Sequence, residues 1–126
     1  MTQSLLAIEG LSVAYRGAGG KPEKTIVSGI DLTLAQGRTL RLIGASGSGK
    51  STIANAVLGL VPAQSGAIVW RGAPLQPAMR SRAVSAVFQD PGGSLDPRRR
   101  LWASIAEPLE IRGASVGERR AAALAA

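Results

Sequence analysis

Two apolar runs in the first third of the chain predict β-strands. The run at 5–15 is rich in aliphatic residues and is interrupted by Gly10, which predicts two short strands that meet at a kink. In the run at 26–35, apolar and polar residues alternate from residue 30 to residue 34. This period of two is typical of an antiparallel strand with one buried face. The glycine-rich segment at 16–24 predicts a loop between the two runs.

The middle of the chain combines a β-prone run, a glycine-rich segment and a helical pattern. Gln36 and Gly37 predict a turn, and the short run at 38–43 predicts a strand. Beyond the glycines, the segment 50–60 predicts a helix with four apolar residues on one face, at Ile53, Ala56, Val57 and Leu60. The predicted order is therefore strand, loop and helix.

Two further apolar runs, at 67–71 and 83–88, predict strands on either side of a polar connection at 74–82. The segment 51–70 carries no charge, but a Pro-Ala-Gln-Ser-Gly cluster at 62–66 predicts a turn within it and argues against a membrane-spanning helix. The N-terminus lacks a basic region followed by an apolar run. We therefore expect no secretory signal and a cytosolic chain.

The last quarter of the chain has the spacing of helices. Apolar residues recur at helical intervals, at Trp102, Ile105, Ala106 and Leu109. Pro108 predicts a break near Glu107. Ser115 and Glu118 match the S-x-x-E pattern of a capping box and predict the start of a final helix.

Composition narrows the possible chemistry. The chain has no cysteine and no histidine, which excludes disulfides, thiolate metal sites and histidine-based hydrolase triads. Its 15 Lys and Arg against 8 Asp and Glu give a net charge of +7, which attracts phosphates, nucleic acid or an anionic membrane. The few aromatic residues are too scattered to form a stacking platform for single-stranded nucleic acid.

The glycine-rich segment matches the P-loop pattern G-x-x-x-x-G-K-[ST], and it lies between a predicted strand and a predicted helix. We expect Lys50 to reach the β and γ phosphates of a nucleotide and Ser51 to offer its hydroxyl to Mg²⁺. The N–H of Thr52, in the first helical turn, is available to a phosphate oxygen. The remaining predicted nucleotide-binding residues of the loop are Gly44, Ala45, Ser46, Gly47, Ser48 and Gly49.

Three further strings make the chain resemble the nucleotide-binding subunit of an ABC transporter: LSVAY, VFQDP, and SLDPR with AEPL soon after. The resemblance implies that Tyr15, at the end of the first string, stacks on adenine. It also implies that Gln89, in the second, contacts Mg²⁺ and the attacking water. The whole stretch FQDPGGSLDPRRR followed by IAEPL is similar to the importer branch that handles dipeptides, oligopeptides and nickel.

The resemblance implies an α/β P-loop NTPase core of ABC type with an antiparallel β flank. On this interpretation, 1–126 is the N-terminal part of one ATP-binding domain that is truncated at the start of the helical subdomain. Its parts are a β-rich region at 1–43, the P-loop and helix at 44–60, strands and the Q-loop at 61–100, and the first helical residues at 101–126.

The resemblance also implies cofactors, partners and a location. The cofactors are ATP and Mg²⁺. The implied partners are transmembrane permease subunits, a second ATP-binding subunit in a homo- or heterodimer and, indirectly, a solute-binding protein, with no nucleic acid. The implied location is cytoplasmic, on the inner face of the plasma membrane. Peptide and nickel remain alternative solutes.

The sequence departs from the family pattern in what it lacks. There is no LSGGQ signature, no Walker B strand ending in Asp-Glu and no switch histidine. We therefore predict that no catalytic residue lies within this chain, that it hydrolyses no ATP alone, and that it is either a truncated gene product or a partial sequence. Glu107 and Glu110 lie around Pro108 without a histidine or cysteine nearby, so we do not expect a paired-carboxylate site.

Two alternative functions compete with this interpretation. A GTPase is suggested by the D-x-x-G pattern at 90–93, but the chain has no N-K-x-D string for guanine. A basic nucleic-acid-binding module is suggested by the net charge and the arginines at 98–100, but no nucleic-acid-binding motif accompanies them. We interpret that arginine run as a solvated surface, with contact to an acidic loop of a membrane subunit as the alternative.

Overall fold

The computed structural model describes residues 4–16, 19, 23–90, 93 and 95–126, except for the side chain of Ser81. Most of the predicted loop at 16–24 lies outside the described residues. The chain forms two compact units, Met1–Val84 and Ser85–Ala126. Each unit is described by itself below.

The first unit is built on a four-stranded antiparallel sheet. Its strands are β1 (Ser4–Tyr15), β2 (Lys24–Ala35), β3 (Ser65–Trp70) and β4 (Ala73–Pro74), in the spatial order β2-β1-β3-β4. The half-buried antiparallel strand predicted at 26–35 is confirmed as part of β2. The strand predicted at 67–71 is also present, although it begins and ends slightly earlier.

The interrupted apolar run at 5–15 is one continuous strand rather than the two short strands predicted. The register of β1 against β2 shifts between Ile8 and Leu11, and Gly10 has a φ of +58°. Such a bulge inserts extra residues without ending the strand. Because Ile8 and Leu11 are three residues apart, a regular strand would point them to opposite faces. The bulge turns both inward, where each is buried.

Two backbone N–H groups near the bulge between β1 and β2 donate to side chains of the neighbouring strand instead of to its carbonyl groups. The N–H of Gly10 donates to Oδ1 of Asp31 at 2.7 Å, and the N–H of Gly29 donates to Oγ of Ser12 at 3.1 Å. Unpaired backbone groups are expensive to leave unsatisfied in a fold. These bonds therefore stabilise the bulged pairing of β1 and β2.

Helix α1 (Lys50–Leu58) packs its Ile53 and Ala56 against the sheet to complete the core. It ends where Gly59 adopts a φ of +78°. The N–H of Gly59 donates to the carbonyl of Ala56, and the N–H of Leu60 donates to the carbonyl of Asn55. This pair of bonds is a Schellman motif. The predicted helix at 50–60 is confirmed, except that Leu60 lies outside it and is 62% exposed.

The strand predicted at 38–43 is wrong. The run belongs to no sheet, and Ile43 is 86% exposed. The polar connection at 74–82 contains a helix, α2 (Pro77–Ala83), which begins at a proline, a residue favoured in the first helical turn. The guanidinium of Arg80 in α2 donates to the carbonyl of Ala56 at 2.8 Å and so joins α2 to the end of α1.

The last predicted strand, at 83–88, is also wrong, because Ala83 ends α2 and the residues at 84–88 pair with no strand. A β-prone run forms a strand only where a neighbouring strand offers ladder partners. Among the described residues, neither this run nor the one at 38–43 has such a partner. The apolar pattern predicts a preference for β-structure but carries no information about the partner.

The described part of the second unit contains three short helices, α3 (Leu101–Ile105), α4 (Glu107–Ile111) and α5 (Val116–Ala125). The predicted break near Pro108 is confirmed, because α4 starts with this proline in its first turn. The capping box is also confirmed: Oγ of Ser115 accepts from the N–H of Glu118 at 3.3 Å, and the Glu118 carboxylate accepts from the N–H of Ser115 at 2.8 Å. Across the described ranges, no helix combines the length and the apolar character needed to cross a membrane.

Candidate functional site

The loop at 44–49 connects the run at 38–43 to α1, and its shape depends on glycine. Gly47 and Gly49 have φ values of +77° and +91°, a region that other residues rarely adopt. A Cβ on Gly49 would also overlap Cγ1 of Val27, which is a buried core residue of β2. The loop is therefore seated directly on the core of the first unit.

Lys50 lies across this loop. Its Nζ donates to the carbonyl oxygens of Gly44 at 2.8 Å and Ala45 at 2.7 Å, and to Oγ of Ser48 at 3.2 Å. The ammonium group is thus held by backbone oxygens rather than by a carboxylate. A cation held in this way can exchange its carbonyl partners for a more strongly negative ligand.

The start of α1 favours an anion. The first helical hydrogen bond of α1 runs from the N–H of Ile53 to the carbonyl of Gly49, at 3.0 Å. The N–H groups of residues 50–52 therefore have no acceptor within the helix. The cap residue is a glycine with no side chain to accept them, and the first turn contains no acidic residue. Lys50 adds a positive charge at the end where the helix dipole already disfavours one. A bound phosphate would satisfy the N–H groups and the charge together.

Tyr15 and the loop line one depression of about 290 Å³. Tyr15 is the last residue of β1 and is 40% exposed, so the face of its ring is accessible. The other lining residues are Ile26, Gly47, Ser48, Gly49, Lys50, Ser51 and Thr52. The structure therefore brings Tyr15 together with the second half of the loop and the first turn of α1.

The predicted site residues take different positions around this depression. The hydroxyl-bearing Ser51 is exposed, whereas the side chain of Thr52 is buried, which suits a contribution from the backbone N–H of Thr52. Gly44 and Ala45 act through their carbonyls on Lys50. Ser46 is exposed and does not line the depression.

Gln89 belongs to the second unit and is exposed. Its predicted contact with Mg²⁺ and water stays a prediction. Residues 91, 92 and 94, which complete the string around it, lie outside the described residues.

One residue beside the loop at 44–49 was missed by the sequence interpretation. Ile26 of β2 forms part of the wall of the depression. Its place in the apolar run at 26–35 predicts a strand position, and no local signal links it to a loop so much later in the chain. Only the pairing of β1 with β2 and the packing of α1 bring it there.

The arginine run at 98–100 was expected to be a solvated surface, but its middle residue, Arg99, forms ion pairs. The guanidinium of Arg99 donates to Glu107 at 2.7 Å and to Glu110 at 2.8 Å, and Arg119 donates to Glu110 at 2.8 Å. The hydrogen bond from Arg119, with the contacts from Arg99, holds the pKa of Glu110 below its ordinary value. The two glutamates serve as ion-pair partners within the second unit.

Comparison with known proteins decides the family. A family model described as ABC transporter matches residues 27–126. The chain belongs to the ABC transporter family. Among its relatives, it is 42% identical over 114 residues to the nickel import ATP-binding protein NikE of Rhodospirillum rubrum, covering 83% of this chain and 41% of NikE.

Two oligopeptide transport ATP-binding proteins are also similar to this ABC transporter chain. It is 43% identical over 119 residues to OppF of Escherichia coli, covering 83% of this chain and 35% of OppF. It is 47% identical over 105 residues to OppD of Mycobacterium tuberculosis, covering 79% of this chain and 17% of OppD. The chain thus spans less than half the length of these relatives.

A solved structure supports the same conclusion for the fold. The ATP-binding cassette MJ0796, in a dimeric post-hydrolysis state bound to ADP and Pi, matches with a TM-score of 0.74 and 25% identity, covering 94% of this chain and 54% of that one. The predicted ABC-type P-loop fold with an antiparallel β flank is therefore confirmed. The neighbour is an ATP-binding cassette and not a GTPase or a nucleic-acid-binding module.

Proposed function

We propose that this chain forms the ATP-binding part of an ABC importer subunit and binds Mg-ATP in the depression between Tyr15 and the P-loop. The observation that supports this most strongly is the convergence of three features there: the ammonium group of Lys50, the N–H groups of the first turn of α1, and the ring of Tyr15. The first two suit phosphates, and the third suits a base.

Each residue then has a stated role. Lys50 exchanges the carbonyls of Gly44 and Ala45 for the β and γ phosphates, and the N–H groups of the loop and of Thr52 donate to phosphate oxygens. Tyr15 stacks on adenine. Gly44, Ser46, Gly47, Ser48 and Gly49 shape the loop around the phosphates.

The residues present are compatible with Mg²⁺. Within the described residues, no group of three or more carboxylates or other strong ligands could hold a metal on its own. Mg²⁺ usually takes only one or two protein ligands beside substrate phosphates and water, and the exposed hydroxyl of Ser51 meets that need. We assign Ser51 to the ion, which would neutralise phosphate charge when bound, and the contact of Gln89 with the ion stays a prediction from the family resemblance.

The relatives support a role in import. In the whole protein, ATP binding and hydrolysis would drive uptake of peptides or of nickel. The names of the relatives state nickel import for one and oligopeptide transport for another. The partners we propose are transmembrane permease subunits, a second ATP-binding subunit and, indirectly, a solute-binding protein, with the chain on the inner face of the plasma membrane. Hydrolysis would require groups that this chain does not contain, so we expect it to bind nucleotide without turnover.

The Lys50→Ala substitution tests the phosphate site. It removes a charge-assisted contact and should weaken ATP binding by about 1.5 to 3 kcal/mol, with a smaller loss for ADP. Titration with a fluorescent ATP analogue measures this. Arg38→Ala removes an exposed cation outside the depression and should leave the affinity unchanged. Equal affinities of Lys50→Ala and the unaltered chain for ATP would contradict the proposal.

Substitutions at Tyr15 test the base site separately. Tyr15→Phe and Tyr15→Trp keep an aromatic face and should retain affinity, whereas Tyr15→Ala should lose about 1 to 3 kcal/mol. The same titration applies. If Tyr15→Phe binds as weakly as Tyr15→Ala, the ring does not stack on the base.

A further inference from the structure

A second depression of the first unit shares no residue with the P-loop site. It has a volume of about 370 Å³ and lies between the turn that follows β3 and helix α2. Its lining residues are Trp70, Arg71, Ala78, Met79, Arg82 and Ala83. Four of them are apolar, and the other two are arginines, so the groove combines an apolar lining with two positive charges.

Within the described part of the chain, the two arginines have no carboxylate partner. Both are exposed, and neither forms an ion pair with any residue that the structure describes. The guanidinium carbon of Arg71 lies 5.9 Å from the centre of the Trp70 ring. The sequence of the first unit contains nine Lys and Arg but only three Asp and Glu, and none of these acids lines the groove. The local positive charge is therefore uncompensated.

The backbone at Arg71 adds an independent observation. Arg71 and Gly72 form the two-residue loop between β3 and β4, with φ values of +49° and +81°. Positive φ at both positions is the signature of a type I′ turn, which favours Asn-Gly. In the described residues, Arg71 is the only residue other than glycine with positive φ. An unfavourable residue in a tight turn often marks a functional position, and here its side chain flanks the groove.

We propose that this groove binds an acidic segment of another protein that carries an apolar anchor residue. The carboxylates of the segment would pair with Arg71 and Arg82, since guanidinium groups match carboxylates in geometry and charge. The anchor would contact Trp70 and Met79, and methionine adapts its shape to different side chains. This surface is independent of the proposed ATP binding.

Two other anionic partners fit the groove less well. Stacking of a nucleic-acid base would need an open ring face, but Arg71 already stands over one face of the Trp70 ring. A lipid bilayer would need a flat or protruding apolar surface, whereas this site is a depression. A depression with an apolar lining and two cationic side chains matches a side chain projecting from an acidic peptide.

The direct test uses the complete 126-residue chain and a short fluorescein-labelled peptide of alternating Glu and Leu. Fluorescence anisotropy should detect binding that weakens as salt is raised. Arg71→Asn and Arg82→Gln should each lower the affinity by roughly fivefold or more. Arg41→Gln, which alters an exposed arginine outside the groove, is the matched control and should leave the affinity unchanged.

Arg71→Asn also separates binding from folding. Because Asn suits the first position of a type I′ turn, this variant should raise the thermal midpoint while it loses the peptide, which misfolding cannot produce. ATP affinity should stay the same in both groove variants. The proposal is overturned if neither substitution changes peptide affinity, if a Lys-Leu peptide binds equally well, or if only single-stranded DNA or phosphatidylglycerol vesicles bind.

Discussion

The two units of the chain are stabilised by different interactions. The first unit has a continuous apolar core between its sheet and α1, whereas the only buried apolar residue described in the second unit is Ala106. Instead of an apolar core, the described part of the second unit has an ion-pair cluster around Arg99 and Glu110 and a capping box at Ser115. The core of the first unit consists of Ile8, Leu11, Val13, Val27, Ile53, Ala56, Ile68 and Leu75.

This difference concerns function as well as stability. The P-loop belongs to the first unit, where Gly49 lies against the core residue Val27. A phosphate site needs donors that are held in position before the ligand arrives, and a close-packed core holds them. Gln89 belongs to the second unit, whose contacts are largely exposed and polar. Such contacts rearrange at low energy, so this unit is the part of the chain better suited to change shape.

One tryptophan in each unit allows the comparison to be measured. Trp70 lies in the first unit and Trp102 in the second. Variants with Trp70→Phe or Trp102→Phe leave a single tryptophan whose fluorescence follows one unit. The predictions below use these two backgrounds, from the largest expected effect to the smallest.

Removal of a core side chain should affect the first unit alone. Leu11 is fully buried, so Leu11→Ala should lower the free energy of unfolding by about 3 to 5 kcal/mol. Urea unfolding followed by Trp70 measures the change, and the Trp102 signal should not follow it. The same substitution at the exposed Leu60 should change stability by less than about 0.5 kcal/mol. A Trp102 transition that shifts together with that of Trp70 would show that the units do not unfold separately.

Loss of the capping box should affect the second unit alone. Ser115→Ala removes the acceptor for the N–H of Glu118 and should lower the stability of that unit by about 1 kcal/mol. Trp102 fluorescence in urea reports this, with Trp70 as the unaffected reference. Ser115→Asn keeps a side-chain acceptor and should restore most of the loss. The importance of the cap would be refuted if the alanine and asparagine variants were equally stable.

A fall in pH should lower the stability of the second unit more than that of the first. Hydrogen bonds from the side chain and then the backbone of Ser115 lower the pKa of Glu118, and contacts led by Arg119 lower that of Glu110. A carboxylate whose pKa is lower in the folded state stabilises the fold above its unfolded value and loses that contribution as pH falls through the folded value. The Trp102 midpoint should therefore fall as pH drops below 4.5, the ordinary glutamate value.

This pH effect should be the smallest of the three, because the groups are exposed and water screens them. Glu110→Gln should flatten part of the pH dependence, because an amide does not titrate in this range. A Trp70 midpoint that falls as steeply as that of Trp102 would contradict the assignment to the second unit.

Local features of the fold were predictable because they depend on neighbours in sequence. The start of α1 after Gly49, the break at Pro108 and the capping box at Ser115 each follow from a few adjacent residues. The predicted strands at 38–43 and 83–88 failed for the opposite reason. Apolar periodicity reports a preference for extended backbone, but a ladder also needs a partner strand, which local sequence does not specify.

The conformation of the loop at 44–49 before a helix could be predicted as a whole, since its glycines, Lys50 and Ser51 follow one another in the chain. The family resemblance also pointed to Tyr15. That Tyr15 and Ile26 share a depression with Lys50 depends on the pairing of β1 with β2 and on α1 packing against them. The groove at Trp70 was not predicted at all, because it needs α2, which the polar pattern at 74–82 concealed.

By itself, the sequence determined the elements whose signals are local: the P-loop, the beginning of α1, the helices beyond residue 100 and the family to which the chain belongs. The tertiary structure decided which distant residues meet. The bulge at Gly10 shows why, because its register shift turns Leu11 to the buried face and leaves Tyr15, at the end of the same strand, beside the loop. Backbone preferences act between adjacent residues, whereas register and packing are settled by the free energy of the whole fold.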